Sequence, residues 1–596
     1  MDRNQAIGMV IISVMIFVWL FFFSTPPTDK PKDSKNNQQQ KNNEQVDLSK
    51  KNVPELDTKL YDSTLLQAEV KDVVLENKEI KVTFSTQGGK IKQVLLKNYK
   101  TYDQKPLYLL DEKFSQMSYQ IPTTKGKIDL YQIKYYSELK NNTLIFKVQA
   151  EGGKQIEQVY TLKPDSYELG YEVKLQGYAL TKDAATLDWQ ANMPRTEKDA
   201  TPSRIKSTIT YYTPEGGYDY LSETNDKQEK SITEPIRWVT FKQQFFLASI
   251  FATKNNSFSK ATFTTIADEN NKDVVKNYQA NIAVPSENLQ NGKGTFQFYL
   301  GPNKYDVLKK YEEDFSKNVG LGWAVFGWVN RFVVIPILDV LSGIGNYGII
   351  IIVLVLILRA VLFPLSYKSY IGMAKMKVLK PEIDEIKART GGDMQKVQQE
   401  QMELFRQVGI NPLAGCIPML LQMPILIAMF TYFPNAIELR QESFLWAEDL
   451  STYDSVLNLS FQIPFYGSHV SLFTILMTIS TIVYTWFTNQ TSTVEGPMKM
   501  VGYIMPVVFM FMLNSYPAGL SYYYLISNLV SIGQQIGIKR LVDENKIRAI
   551  LDNNRLKNKD KKKTGFQQRL EDALKAQQEK LEAKQKDIKN KQNSKK

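Results

Sequence analysis

The residue best placed to do chemistry is Arg359, a cation inside the apolar run 349–365. An arginine at the centre of a transmembrane helix costs about 2.5–3.5 kcal/mol on insertion scales, so it is expected to face a partner or a wet cavity. The other apolar runs contain no Asp or Glu that could form an ion pair with it. We therefore predict a hydrated pocket around Arg359. The alternative is that the side chain extends to the membrane surface, because Lys368 follows nine residues later.

Two other apolar runs carry polar side chains at helical spacing. The first set is Thr474, Thr478, Thr481 and Thr485, and the second is Ser521, Tyr524, Asn528, Ser531 and Gln535. Each set falls on one face of a helix and could line the pocket around the arginine. The alternative is that these side chains hydrogen-bond to neighbouring helices, as Ser, Thr and Asn do in membranes.

Composition argues against metal and nucleophilic chemistry. The single cysteine, Cys416, excludes an intramolecular disulfide, and with the single histidine, His469, it excludes the usual Cys and His metal sites. A Ser-His-Asp triad and a glycine-rich phosphate-binding loop also lack support. We expect no cofactor, no metal and no catalytic residue. Cys416 is interpreted as a packing residue and His469 as an interfacial one.

Six apolar runs are candidate membrane spans. They cover residues 7–23, 349–365, 412–433, 470–487, 500–513 and 519–538. A spanning helix needs about 17–25 apolar residues, and neighbouring helices can accommodate the short run 500–513. No small-residue cleavage site follows the first run, which predicts an uncleaved signal-anchor, with a removed signal peptide as the alternative.

Loop charge predicts the orientation of these spans. Segment 366–412 holds eight Lys and Arg residues, whereas segment 436–468 holds only Arg440. The positive-inside rule therefore places segment 366–412 and both termini in the cytoplasm. The formal net charge of the chain is +12, and the tail 539–596 contributes +10 of it through 19 basic and 9 acidic residues. That tail fits ribosomal RNA or anionic lipid, although a merely solvated tail remains the alternative.

The long segment between the first two spans must then lie outside the cytoplasm. Its residues 28–60 are mostly polar and predict a disordered linker. Residues 61–301 show short runs of period-two alternation, such as 80–84 and 144–148, which predict an antiparallel β sandwich. The predicted fold is an α-helical membrane bundle of six spans, five of them forming the core, with this β domain attached.

Two further segments complete the predicted organisation. Aromatic residues interleave with polar ones in 323–341, which predicts an interfacial helix, with a seventh span as the alternative. Segment 367–411 predicts a helical hairpin turning at Gly391 and Gly392, either packed on itself or acting as a mobile cap. The predicted boundaries are 1–27 signal-anchor, 28–60 linker, 61–301 β domain, 302–347 connector, 348–366 second span, 367–411 hairpin, 412–435 third span, 436–468 outer loop, 469–488 fourth span, 489–499 inner loop, 500–538 fifth and sixth spans, and 539–596 tail.

At these residues the chain resembles the YidC/Oxa1/Alb3 family of membrane protein insertases, specifically its bacterial members with a large periplasmic domain. The match covers about 301–539 and rests on dispersed motifs in the right order. They are Gly345-Asn346-Tyr347-Gly348, Arg359 followed by Pro364-Leu365, Met373-Ala374-Lys375-Met376, segment 411–418, Gln422-Met423-Pro424, Pro517-Ala518-Gly519-Leu520, Tyr524, and Ser527-Asn528-Leu529. The β domain matches in position and pattern alone.

The resemblance implies an inner-membrane protein with a hydrophilic groove that is open to cytoplasm and lipid but closed toward the periplasm. Arg359 would receive acidic parts of an incoming chain, and Tyr523 and Tyr524 would contact it. Family members act alone or with the Sec translocon and receive ribosome-bound nascent chains. Some members have Thr where this chain has Val355, which implies a less polar groove there.

We therefore predict a membrane protein insertase and chaperone, not an enzyme, that helps integral membrane proteins insert and fold. The predicted groove residues are Arg359, Gln422, Thr478, Tyr523, Tyr524 and Asn528. The main alternative is a secondary transporter of an anionic solute, which would require internal repeats that the sequence does not display. A membrane hydrolase would require a supported nucleophile or paired acids, which are not evident.

Overall fold

The computed structural model describes residues 63–253, 256–290, 294–311, 313–391, 394–410, 417–490 and 497–557. The predicted signal-anchor at 1–27, the linker at 28–60, Cys416 and the tail beyond 557 lie outside the described residues. The described chain forms an all-β domain followed by a helical region.

Antiparallel sheets build the β domain. The first has the order β1 (Asp72–Glu76), β2 (Ile80–Ser85), β3 (Lys90–Lys100), β4 (Pro106–Asp111). The nine-stranded sheet has the order β13 (Gly217–Tyr220), β12 (Thr208–Thr213), β15 (Trp238–Lys242), β16 (Phe246–Ala252), β19 (Gly294–Pro302), β10 (Glu168–Gln176), β9 (Lys154–Leu162), β8 (Thr143–Ala150), β7 (Tyr136–Lys140). The six-stranded sheet has the order β14 (Lys227–Ile232), β17 (Lys260–Ile266), β18 (Val274–Val284), β11 (Ala185–Pro194), β5 (Ser115–Thr123), β6 (Gly126–Asp129).

Period-two alternation explains how these sheets pack. Along β11 every second residue is buried, and the intervening residues are half-buried. The buried Trp189 of β11 stacks on Phe241 of β15 with ring centroids 4.1 Å apart, which joins the two large sheets. The prediction of a large all-β domain is confirmed, and the alternating segments 80–84 and 144–148 lie within β2 and β8.

Helices account for most of the remaining chain. Short ones are α1 (Ala200–Ile205), α2 (Ser286–Gln290) and α3 (Tyr305–Leu308). A compound helix joins α4 (Ala324–Val329), a π-helical turn (Asn330–Val334) and α5 (Ile335–Leu341). The others are α6 (Tyr347–Val378), α7 (Lys380–Arg389), α8 (Met394–Gln407), α9 (Ile417–Tyr432), α10 (Leu472–Asn489), α11 (Pro497–Leu513), α12 (Ala518–Leu541) and α13 (Glu544–Lys557), with a hairpin of β20 (Leu457–Ile463) and β21 (Gly467–Val470) before α10.

The helical region has the character of a membrane bundle. Within the described residues three helical segments are long and apolar enough to cross a membrane, namely Ala324–Ile344, Tyr347–Val378 and Leu472–Asn489, and Lys499–Leu513 is a shorter apolar helix. Six spans with a five-helix core therefore stay a prediction. So does an interfacial position for 323–341, since Ala324–Ile344 has the length and composition of a span.

Helix α6 runs past position 366, where the sequence places the end of the second span, and continues to Val378. The side chain of Asn346 accepts a hydrogen bond from the Ile349 amide at 3.1 Å and so caps its first turn. Beyond α6, Ile383 and Leu404 of the hairpin share one apolar core with Ile547 and Leu551 of α13. The hairpin thus packs on the first part of the tail as well as on itself, and Arg555 pairs with Glu382 at 2.6 Å.

An ion pair attaches the β domain to the loop 436–468. The buried Arg440 donates from Nε to Oε1 of Glu197 at 2.9 Å and from Nη2 to the carbonyl of Lys100 at 2.5 Å. Nearby, Gln244 Nε2 donates to the carbonyl of Pro434 at 2.9 Å. The β domain is therefore held directly against the loop that follows α9.

Candidate functional site

Arg359 lies half-buried on α6 and faces α12. Its Nη2 donates a hydrogen bond to Oγ of Ser527 at 2.6 Å. About two helical turns further along α12, Gln534 Nε2 donates to the backbone carbonyl of Arg359 at 3.3 Å. The arginine is thus positioned by α12 from both its side chain and its backbone.

The positive charge of Arg359 has no carboxylate partner among the described residues. Helices α6, α9, α10, α11 and α12 contain no Asp or Glu. The phenols of Tyr484 and Tyr523 lie close enough to interact electrostatically with the guanidinium, but a neutral phenol does not cancel a charge. The guanidinium can therefore still receive an acidic or polar group from outside the bundle.

The polar faces of α10 and α12 lie against each other. Asn528 Nδ2 donates to Ser480 Oγ at 3.0 Å and to Thr481 Oγ1 at 2.8 Å. Thr474 and Ser521 hydroxyls are 2.9 Å apart, and Gln535 Nε2 donates to Thr488 Oγ1 at 3.2 Å. These contacts join two helices, which is the alternative that the sequence left open for these side chains.

Thr478 belongs to the same interface but bonds within its own helix. Its side chain is buried, and its hydroxyl donates to the carbonyl of Thr474 at 2.8 Å. Such a bond satisfies the hydroxyl one turn back along the helix. It leaves no hydrogen bond between Thr478 and Arg359 in the described structure.

Tyr523 and Tyr524 connect α12 to the end of α9. The Tyr524 hydroxyl donates to the carbonyl of Leu426 at 2.9 Å. The ring of the buried Tyr523 lies 5.8 Å from that of Phe433 and 5.3 Å from that of Tyr524. Gln422 is half-buried on α9, one turn before Leu426, and its side chain has no hydrogen bond to the described residues. A primary amide can donate and accept hydrogen bonds at that position.

The two residues that directly hold Arg359, Ser527 and Gln534, were not among the predicted groove residues. With Ser531, which the sequence did place on a polar face, they follow one another at i, i+4 and i+7, so they share one face of α12. This face lies next to the face of Tyr524 and Asn528 that was selected. The spacing itself was a usable signal, but only the position of α6 decides which face meets the arginine.

One end of the bundle is covered by the loop 436–468. A Cβ atom at Gly348 would lie 2.0 Å from the Phe444 ring, so the ring presses directly on the first turn of α6. The Phe444 ring lies 5.0 Å from that of Tyr522 at the start of α12. The loop therefore closes the bundle where α6 and α12 both begin.

His469 belongs to this cover. It is buried, its ring stacks on Tyr453 at 3.7 Å, and its Nε2 lies 2.9 Å from the carbonyl of Asn514. Asn514 in turn donates from Nδ2 to the carbonyls of Tyr466 and His469, both at 2.8 Å. The histidine has a packing and hydrogen-bonding role in the loop.

Comparisons with known proteins agree with this architecture. The family described as "60Kd inner membrane protein" matches residues 339–546, and the family described as "YidC periplasmic domain" matches residues 72–335. These matches confirm the resemblance drawn from the dispersed motifs, and they identify an inner-membrane protein.

The relatives are similar over nearly their whole length. The membrane protein insertase YidC of Amoebophilus asiaticus is 44% identical over 97% of this chain and 99% of its own. That of Cytophaga hutchinsonii is also 44% identical, over 99% of this chain and 100% of its own. A solved structure of an active YidC insertase with its first transmembrane domain resolved is 17% identical and covers 79% of this chain and 94% of that one, with a TM-score of 0.32. The sequence relatives therefore decide the assignment: this chain belongs to the YidC family of membrane protein insertases.

Proposed function

We propose that this protein inserts and helps fold integral membrane proteins through a polar groove centred on Arg359. The observation that carries this mechanism is the hydrogen bond from Arg359 to Ser527 in a group of described helices that lack carboxylates. A cation held in this way is positioned, yet its charge is not neutralised. It would attract acidic or polar segments that must pass the apolar part of the membrane.

The other groove residues divide between two sides of α12. Gln422, Tyr523 and Tyr524 lie toward α9, where a free amide and two aromatic rings offer polar and apolar contacts to an extended chain. Thr478 and Asn528 belong to the interface between α10 and α12, where Asn528 bonds across to Ser480 and the buried Thr478 bonds within α10. We assign substrate contact to the first group and support of the groove wall to the second.

The energy for insertion would come from the substrate. Each central Leu, Ile, Phe or Val of an inserting helix contributes about 0.3–0.6 kcal/mol on the biological insertion scale. A groove that hydrates the polar flank of the substrate lowers the energy barrier to insertion, but it does not supply the free energy of insertion. This mechanism needs no nucleotide, cofactor or metal.

For the topology, we propose a multi-pass protein of the inner membrane with both termini in the cytoplasm and the β domain in the periplasm. The support is the contrast between eight basic residues in 366–412 and one in 436–468. The contact between Arg440 and Glu197 agrees with it, because the β domain and the loop 436–468 must then lie on the same side. Protease accessibility in inverted vesicles tests this proposal: the hairpin should be cleaved and the β domain protected.

For the partners, we propose nascent membrane proteins, the Sec translocon and the ribosome. Helix α13, the first part of the basic tail, packs on the hairpin through Arg555 and Glu382. A ribosome or an anionic lipid surface bound there would lie next to the inner end of the bundle. Truncation after Lys557 should weaken ribosome co-sedimentation at low salt, and an unchanged level would contradict this role of the tail.

Crosslinking to a stalled nascent chain tests the groove itself. A photo-reactive residue at position 524 should react with the substrate, whereas one at the exposed Tyr136 of the β domain should not. Equal reaction at both positions would contradict the groove. The transporter alternative predicts uptake of an anionic solute by proteoliposomes, and membership of an insertase family favours insertion over uptake.

A further inference from the structure

Three lysines of the β domain converge on one glutamate. Lys242 Nζ lies 2.8 Å from Oε1 of Glu223. Lys276 Nζ donates to the backbone carbonyl of Glu223 at 3.0 Å. Lys206 lies close enough to interact electrostatically with both Glu223 and Lys242. The one carboxylate of Glu223 therefore lies within electrostatic range of three ammonium groups.

The cluster lies where the two large sheets meet. Lys242 ends β15 of the nine-stranded sheet, and Lys276 belongs to β18 of the six-stranded sheet. Lys206 follows α1, and Glu223 lies in the turn between β13 and β14. Lys276 is 1% exposed and Lys242 is 7% exposed, while Lys206 and Glu223 are half-buried. Lys206 and Glu223 are therefore the more exposed members of the cluster.

Cations exceed carboxylates in this cluster. Arg204 is the fourth cation, and among the described residues its guanidinium donates to two backbone carbonyls, those of Val275 at 3.1 Å and Asn271 at 2.9 Å. Asp226 is the second carboxylate within electrostatic range of Lys276. Four cations against two carboxylates leave a net charge of +2 around side chains that proteins seldom bury unpaired.

The pKa shifts of the clustered side chains agree with a shortage of negative charge in the cluster. Burial lowers the pKa of Lys276 to about 8, and Glu223 offsets only part of the effect. Burial also lowers the pKa of Lys206. Although burial opposes it, Lys242 and Lys206 hold the pKa of the Glu223 carboxyl below its ordinary value. The phenols of Tyr218 and Tyr278 that face this group are kept neutral by their raised pKa values.

We propose that Lys206, Lys242 and Lys276 form a binding site for a phosphate group, presented either by a soluble phosphate ester or by a lipid headgroup. A phosphate monoester carries close to two negative charges at neutral pH, which matches the excess charge of the cluster. Lysine ammonium groups bind phosphate as point charges, so the site does not need the planar fork of arginine. The half-buried Lys206 is the most accessible of the three lysines, and Lys242 and Lys276 are buried.

Binding should be coupled to a proton. A phosphate beside Lys276 favours its protonated form, so binding draws a proton from solution at a pH near 8. Affinity should then fall as the pH rises above 8. The charged groups that face Lys276 are Arg204 and Lys242 on one side and Glu223 and Asp226 on the other, and Lys206 is within electrostatic range of Glu223 and Lys242.

Calorimetric titration of the purified full-length protein with inorganic phosphate tests the site. We expect saturable binding of one phosphate per chain and at least tenfold weaker binding in Lys206→Gln, a change at a half-buried side chain. Lys147→Gln is the matched control, because Lys147 is an exposed lysine on β8, far across the same sheet. No saturable binding, or equal affinity in Lys206→Gln and the native protein with equal thermal stability, would overturn the proposal.

The second measurement tests whether phosphate binding is accompanied by proton uptake at Lys276. At pH 8 the binding enthalpy of the native protein should vary with the ionisation enthalpy of the buffer, and this variation should disappear in Lys276→Met. A native enthalpy that is independent of the buffer would contradict the assignment of Lys276. Nanodiscs with and without phosphatidic acid separate the two sources of phosphate. If only the discs that contain phosphatidic acid displace bound phosphate from the protein, the ligand is a lipid headgroup. If neither kind of disc alters phosphate binding, the ligand is a soluble phosphate ester.

Discussion

Nη2 of Arg359 and Oγ of Ser527 are 2.6 Å apart, although 168 positions separate the two residues in the chain. The contact joins α6 to α12. Arg359 is the only charged residue in the apolar part of α6, residues 349–365. Serine is neutral, so it orients the guanidinium and leaves its charge available. This arrangement differs from a structural ion pair, in which a carboxylate would hold and neutralise the same group.

Removing the serine hydroxyl should destabilise the bundle. In Ser527→Ala, Arg359 loses a charge-assisted hydrogen bond, and the free energy of unfolding should fall by about 1.5–3 kcal/mol. Thermal unfolding in detergent measures the change. Ser531→Ala is the control, because its hydroxyl donates only to the carbonyl of Ser527 in its own helix, and its effect should be smaller. Equal losses in the two variants would argue against a special role for Ser527.

Insertion should depend on the charge of Arg359 more than on its shape. Arg359→Leu should reduce insertion of substrates with acidic translocated segments by tenfold or more, and Arg359→Lys should retain most of it, since the lysine keeps the charge. Reconstituted proteoliposomes with one acidic and one neutral substrate measure the difference. Arg331→Gln removes an exposed cation and should leave both rates unchanged. A uniform loss for both substrates would contradict an electrostatic role.

The contact between the β domain and the loop should depend on Arg440. Arg440→Ala leaves the buried carboxylate of Glu197 without its partner, which typically costs about 3–5 kcal/mol. Faster hydrogen exchange in the loop 436–468 and in the segment around Lys100 would report the loosened contact. Lys92→Ala breaks an ion pair to the exposed Asp72 and should cost under about 1 kcal/mol. Equal effects would mean that the buried pair does not hold the domain.

Acidification should stabilise the region around Glu438. Burial raises the pKa of Glu438 above its ordinary value of 4.5, and it does the same for Glu197 and Glu442. The folded protein then holds a proton that the unfolded chain has released, so this contribution to the free energy of unfolding rises as the pH falls from neutral toward 4.5.

A glutamine at position 438 isolates this effect. Glu438→Gln should be more stable than the native protein at neutral pH, and the difference should shrink as the pH approaches 4.5. Glu448→Gln alters an exposed carboxylate and should show no such trend. Thermal unfolding across this pH range provides the measurement, and a difference that is constant with pH would refute the assignment.

The sequence predicted those features of the fold and the site that depend on residues close together in the chain. The alternation in 80–84 predicts a strand because one face of β2 must be buried, and Arg359 is conspicuous because its neighbours are apolar. Ser527 could not be chosen by the same means, since periodicity defines the faces of α12 but not which face meets α6. Glu197 and Arg440 are 243 positions apart, and no spacing rule connects them. The burial of His469 likewise depends on Tyr453 and Asn514, which approach it only when the loop folds over the bundle.

The contact between Gly348 and Phe444 has a mechanical consequence. With no room for a Cβ atom between them, the first turn of α6 cannot shift toward the loop, and Tyr522 restrains the start of α12 through the same ring. Helices that are immobilised at one end can separate only by bending or tilting about that end. Any such movement of α6 must displace Gly348 least, Arg359 more and Val378 most. The resistance of the bundle to opening therefore decreases along α6 from its first turn to its last.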